Sequence, residues 1–158
     1  MPHLFNKIFT KKFVLIGVAL AIAVLLCGYY IYFYKKVTLP IQTANGNVNY
    51  HVELALTRDQ QRTGLMNRKI LWPKTGMLFL FKSNRVAHMW MKDTLIPLDM
   101  VFFNVKGQVM RVHHNAIPQD LTIISSDFPV AGVLEINAGE AQKYGIAPGS
   151  KLDLKSIK

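Results

Sequence analysis

The chain has 158 residues, 51% of them hydrophobic and 18% charged, with a formal net charge of +10. That leaves room for one globular domain and excludes intrinsic disorder, which needs low hydrophobicity and dense charge. Its one cysteine excludes an internal disulfide framework and a cysteine-built zinc cage. Five of the nineteen basic residues (Lys7, Lys11, Lys12, Lys35, Lys36) precede Val37 and no acid does, so the remainder carries +5 from 14 basic and 9 acidic side chains. Those charges are scattered and form no basic run interleaved with aromatics, so no nucleic-acid partner is expected.

Phe13–Tyr34 is free of charge (FVLIGVALAIAVLLCGYYIYFY). As a helix it would reach about 33 Å, enough for the hydrocarbon core of a bilayer. Lys11–Lys12 and Lys35–Lys36 bracket it, and Tyr29, Tyr30, Tyr32 and Tyr34 gather at one end like an interfacial belt. The run is longer than a cleaved signal peptide's apolar region and ends in bulky aromatics, which predicts an uncleaved single-pass anchor over 13–34 with the bilayer as a partner. Leu26 before Cys27 is bulkier than a lipoprotein acceptor site accepts. The excess of positive charge before the run places residues 1–12 in the cytoplasm and the rest of the chain outside it, periplasmic or extracellular. The absence of cysteine after residue 27 suits that compartment.

Val37–Asn47, with Pro40, Asn45 and Gly46 as turn signals, is expected to finish a linker over 35–47, and a β domain to occupy 48–158. Val48, Tyr50, Val52, Leu54 and Leu56 alternate as in a half-buried strand. Thr57 with Gln60 reads as a capping box opening a short helix over 58–63, stopped at Gly64. Strands are predicted over 77–81, 86–91, 96–103, 108–112, 129–136 and 151–154, with a turn at 105–108 and a second helix over 138–144 closed by Gly145. The result is a mainly β (α+β) domain, a small barrel or sandwich with two short helices, preceded by one transmembrane helix.

Four blocks stand in order along this domain: GLMNR (64–68), GMLFLF (76–81), WMKDTLIPLD (90–99) and VLEINAG (133–139). In these blocks the chain resembles the bacterial and archaeal family known as domain of unknown function 192, over about residues 48–155. The resemblance implies a compact, mainly β fold, often secreted or membrane-tethered, and carries no established activity. After Trp-Met-Lys that family usually has Asn, where this chain has Asp93.

Candidate site residues come first from charge. Asp99 within IPLDMVFF and Glu135 within VLEIN stand in apolar surroundings, where a carboxylate must be paired or have a raised pKa. The bland expectation pairs them with Arg68 or Lys92. The sharper one gathers Arg68, Lys92, Asp93, Thr94, Asp99 and Glu135, with Trp90 as a wall, into a polar pocket for an anionic ligand. A further alternative is a small hydrolase or transferase with Asp99 and Glu135 as acid and base in one cleft. Sulfur gives a weaker candidate: Met89 and Met91 on one strand face, with His88 near, are ligands that suit Cu(I). Core packing explains those methionines better. His113–His114 point opposite ways on a strand and do not share an ion easily. No nucleophile elbow and no phosphate loop are present, and no cofactor is called for. The expectation is a membrane-anchored, non-catalytic module that binds a small anionic ligand or an envelope protein.

Overall fold

The computed structural model describes residues 14–28 and 36–157, in two compact units divided between Lys35 and Lys36. In the first unit, residues 14–28 form helix α1, and their side chains, Cys27 included, are exposed. Among the described residues no helix is long and apolar enough to cross a membrane. Phe13, residues 29–34 and segment 1–12 of the expected anchor arrangement lie outside the described residues.

The second unit holds β1 (Val37–Thr43), β2 (Gly46–Ala55), α2 (Arg58–Thr63), β3 (Thr75–Met89), β4 (Leu98–Phe103), β5 (Val109–Ala116), β6 (Ile124–Asn137), α3 (Glu140–Tyr144) and β7 (Lys151–Leu152), followed by a 3-10 turn over Leu154–Ser156. The strands form one sheet in the order β5-β4-β6-β3-β2-β1-β7. It curls until its two edges meet: Gln108 bridges Lys151, the Val109 amide donates to the Ser150 carbonyl at 2.8 Å, and that of Leu152 donates to Gly107 at 2.8 Å. The mainly β expectation holds, as a partly closed barrel.

Alternation along the strands builds two cores. Val101 and Phe103 of β4 face the barrel interior with Leu39, Ile41, Tyr50, Val52, Leu78, Leu134 and Ile136. Leu98, Met100 and Phe102 face outward and pack with Met77, Phe79 and Val133 beneath Leu65, Leu71, Met91 and Ile96 from the connecting segments. Both faces of β4 are therefore buried, as its unbroken apolar run requires.

Three local expectations are corrected. Residues 37–47 are no linker: β1 and β2 form a hairpin from Val37↔Val52 to Thr43↔Gly46, because Leu39 and Ile41 alternate into the interior. Pro40 fits there because β1 meets its other neighbour, β7, at Ile41 and Gln42 alone. The strands expected over 77–81 and 86–91 are one bent strand. Between Leu80↔Gly132 and Arg85↔Val130, β3 places residues 81–84 against Ala131 alone, an enlarged bulge that swings its second half away. Finally, β5 runs on to Ala116, past the expected 112, and β6 begins at Ile124 rather than 129.

Candidate functional site: a cationic groove over a buried acid

Helix α2 supplies one wall. Thr57 Oγ1 accepts from the Gln60 amide at 3.2 Å while Gln60 Oε1 accepts from the Thr57 amide at 2.9 Å, the reciprocal capping box expected from the sequence. The Gln61 side-chain amide donates to the carbonyls of Ala55 (3.0 Å) and Leu80 (2.8 Å), pinning the helix to β2 and β3. Arg58 and Arg62 stand one turn apart and so share a helix face. An exposed ion pair of Arg62 with Asp59 at 3.8 Å adds little.

The bulge of β3 supplies the opposite wall. It brings Phe81, Lys82, Ser83 and Arg85 up beside α2, with the Arg85 guanidinium 4.1 Å from the Phe81 ring centre. Two adjoining cavities follow, of about 420 Å³ and 390 Å³, sharing Arg58, Gln61, Phe81 and Arg85. The second continues past Phe79, His88 and Met89 to Trp90. At its inner end a recess of about 20 Å³ reaches Glu135 between Gly64, Phe79, Trp90 and Thr94. That volume suits one water molecule. A Cβ at residue 64 would stand 3.2 Å from Phe79 Cζ and 3.9 Å from Glu135 Oε2, so a side chain there would crowd this opening.

Glu135 is 4% exposed. Burial pushes its pKa up to about 8, against a smaller opposing pull from the Arg68 charge. At neutral pH it is therefore a carboxylic acid, able to donate a hydrogen bond as well as accept one. It is the one acid among the groove's lining residues, which include Arg58, Arg62, Lys82 and Arg85.

The expected site residues do not all converge here. Glu135, Trp90 and Thr94 share the recess, and Lys92 lies over the Trp90 ring with Nζ 5.5 Å from its centre. Arg68 instead grips Glu53 through both guanidinium nitrogens at 2.6 Å, a bidentate fork that holds the Glu53 carboxyl below the usual range. Asp93 is exposed in a turn at φ 53°, where its carbonyl accepts from the Asn67 amide at 2.8 Å. Asn and Asp both tolerate that left-handed backbone, so Asp93 suits the turn as an Asn would.

Asp99 is the clear correction. Fully buried, it accepts from the amides of Asn115 and Ala141, both at 2.9 Å, with His114 Nδ1 at 3.9 Å. It secures α3 and β5, and it pairs with neither Arg68 nor Lys92. Its cross-strand partner is Ile136, an interior residue, whereas Glu135 opposes Met100 on the outer face. Asp99 and Glu135 thus lie on opposite sides of the sheet and cannot serve one cleft as acid and base. The sulfur candidates pack on the outer core, as filler methionines do. Met91 lies beyond the end of β3 and is buried in the outer core, while Met89 and exposed His88 line the groove. Among the described residues no three His, Cys, Asp or Glu side chains are grouped to hold a metal.

The groove's cations were not singled out by sequence, although Arg58 and Arg62 at helical spacing were the available signal. Arg85 gave none, since a bulge in the middle of β3 decides where it points.

The domain of unknown function 192 family, described as "Uncharacterized ACR", matches residues 40–154. The chain belongs to that family. No curated protein matches it. Among solved structures it is similar to a protein from Sinorhizobium meliloti 1021 named as a candidate transcription regulator, with 43% identity and a TM-score of 0.73 over 75% of this chain and 92% of that one. It is also similar to a protein of unknown function from Novosphingobium aromaticivorans DSM 12444, with 38% identity and a TM-score of 0.73 over 75% of this chain and 84% of the other. The family's blocks now have places: GLMNR closes α2 over Glu135, GMLFLF and VLEINAG pair as β3 and β6, and WMKDTLIPLD runs from the groove into β4.

Proposed function

We propose that this member of the family is a membrane-tethered, non-catalytic binding module, anchored by residues 13–34 with its domain outside the cytoplasm, and that its groove takes a small anion bearing a flat apolar group. The observation that carries the reading is the lining: three arginines around aromatic walls, over an acid that is neutral at physiological pH. Arginine forks match carboxylate and phosphate oxygens, and Phe81 and Trp90 offer faces to a ring. Protonated Glu135 adds a donor at the inner end. Recesses of a few hundred Å³ fit a single ring with its anionic group, not a nucleic-acid duplex.

The test is thermal unfolding of the full chain in detergent with phenyl phosphate, benzoate and inorganic phosphate. Phenyl phosphate should raise the melting temperature more than phosphate does, and Arg58→Ala or Arg85→Ala should abolish the rise. No shift with any probe, or a shift equal in wild type and both variants, would remove the groove as the binding site. Resistance to alkaline extraction from membranes checks the anchor separately.

A further inference from the structure

Three connecting segments of the domain carry apolar side chains into solvent. Ile70 and Trp72 precede β3, Leu95 precedes β4, and Ile117, Leu121 and Ile123 precede β6; all six are between 41% and 66% exposed. These segments adjoin one another. The Asn67 amide donates to Asp93 at 2.8 Å, that of Gln119 to Thr94 at 3.1 Å, and that of Met91 to Asp120 at 2.9 Å. Single exposed apolar residues are ordinary, but six on neighbouring loops mark a surface with an occupant. Lys69, Lys74 and Lys92 are exposed among them.

The position of this surface on the chain says what the occupant is. Lys36 Nζ lies 3.9 Å from Glu53, and Glu53 holds Arg68, so the first of the three segments starts beside the place where the chain enters the domain. Only Lys35 and Lys36 separate Tyr34, the end of the uncharged run, from Val37, the first residue of β1.

We propose that the three loops form a bilayer-docking surface that dips Ile70, Trp72, Leu95, Ile117, Leu121 and Ile123 into the interface of an anionic membrane. The lysines meet lipid phosphates, and Trp72 sits at headgroup depth. This rests on the anchor reading given above.

The experiment reconstitutes the full chain into phosphatidylglycerol–phosphatidylcholine vesicles. The chain has two tryptophans, Trp72 and Trp90, so Trp90→Phe leaves Trp72 as the only indole. Brominated lipids should quench Trp72 emission at least twofold, and adding Ile117→Asp with Leu121→Asp should reverse most of that loss. Both positions are exposed, so an unchanged melting curve verifies that the variant is folded. A protein that floats with vesicles and resists alkaline extraction, yet shows Trp72 quenched by aqueous iodide and not by bromolipid, overturns the docking surface and leaves the anchor standing. A protein that does not float overturns both. Protection of Trp72 from both quenchers, growing with protein-to-lipid ratio, assigns the surface to a second copy and equally overturns the proposal.

Discussion

Asp99 and Glu135 sit on adjacent strands one register step apart, yet one faces the barrel interior and the other the outer layer. Asp99 opposes Ile136 and Glu135 opposes Met100. The pleat alone separates the two acids, and each serves its own side: Asp99 joins strands to a helix, Glu135 floors a groove.

Asp99→Asn should be strongly destabilising. Both carboxylate oxygens accept backbone amides, and an asparagine offers one acceptor and sets its NH₂ against the other N–H. The expected loss is about 2–4 kcal/mol, read from the urea midpoint at constant slope. A change below about 0.5 kcal/mol would contradict the bonding described.

Glu135 sets a pH dependence of opposite sign to the usual carboxylate. Its pKa is raised to about 8 in the fold from an ordinary value of 4.5, so the native state keeps a proton that the unfolded chain releases. Its contribution is fully present below about pH 4.5 and is lost as pH rises towards 8. Glu135→Gln should gain on wild type across that window, by on the order of 3–5 kcal/mol in full. The difference between the two urea titrations at pH 5 and pH 8 checks it, and parallel curves would refute it.

Gly132→Ala should prevent stable folding. A Cβ there would lie 2.1 Å from the Phe79 carbonyl oxygen and 2.5 Å from Phe103 Cζ, so the β3–β6 ladder would have to part. A loss above about 4 kcal/mol is expected, seen as absent cooperative melting. Gly139→Ala is the control, since nothing stands within 4 Å of its added carbon; its φ of +81° still costs about 1–2 kcal/mol.

Thr57→Ala removes the acceptor that caps α2 and should cost about 1 kcal/mol. Because α2 carries Arg58 and Arg62, the same change should weaken phenyl phosphate binding more than it lowers stability. Equal binding in both proteins would separate the cap from the groove.

Much of this fold could be read from local signals. The capping box at Thr57, the alternation from Val48 to Leu54 and the αL closure at Gly145 each appear where expected, because neighbours in sequence create them; Leu56, expected on the same face, lies past the end of β2 and is exposed. What escaped was non-local. Pro40 and Asn45–Gly46 read as a linker, since nothing within 37–47 announces the β7 segment that pairs with it. For the site, Glu135 was legible as an acid stranded among apolar residues, whereas the Glu53 fork on Arg68 and the Arg85 wall depend on a crossover and a bulge. The two-face separation of Asp99 and Glu135 needed the cross-strand register, which sequence alone does not supply.

The pairing of β1 with β7 has a consequence for biosynthesis. Ile41 and Gln42 meet Leu152 and Lys151, so the first strand of the domain waits for residues translated more than a hundred positions after it. Until then β1 is an open edge and the seam at Gln108 has no partner. The sheet therefore cannot close before residues 151–152 have emerged, and their removal should leave a sticky, aggregation-prone sheet with β1 unpaired on that side.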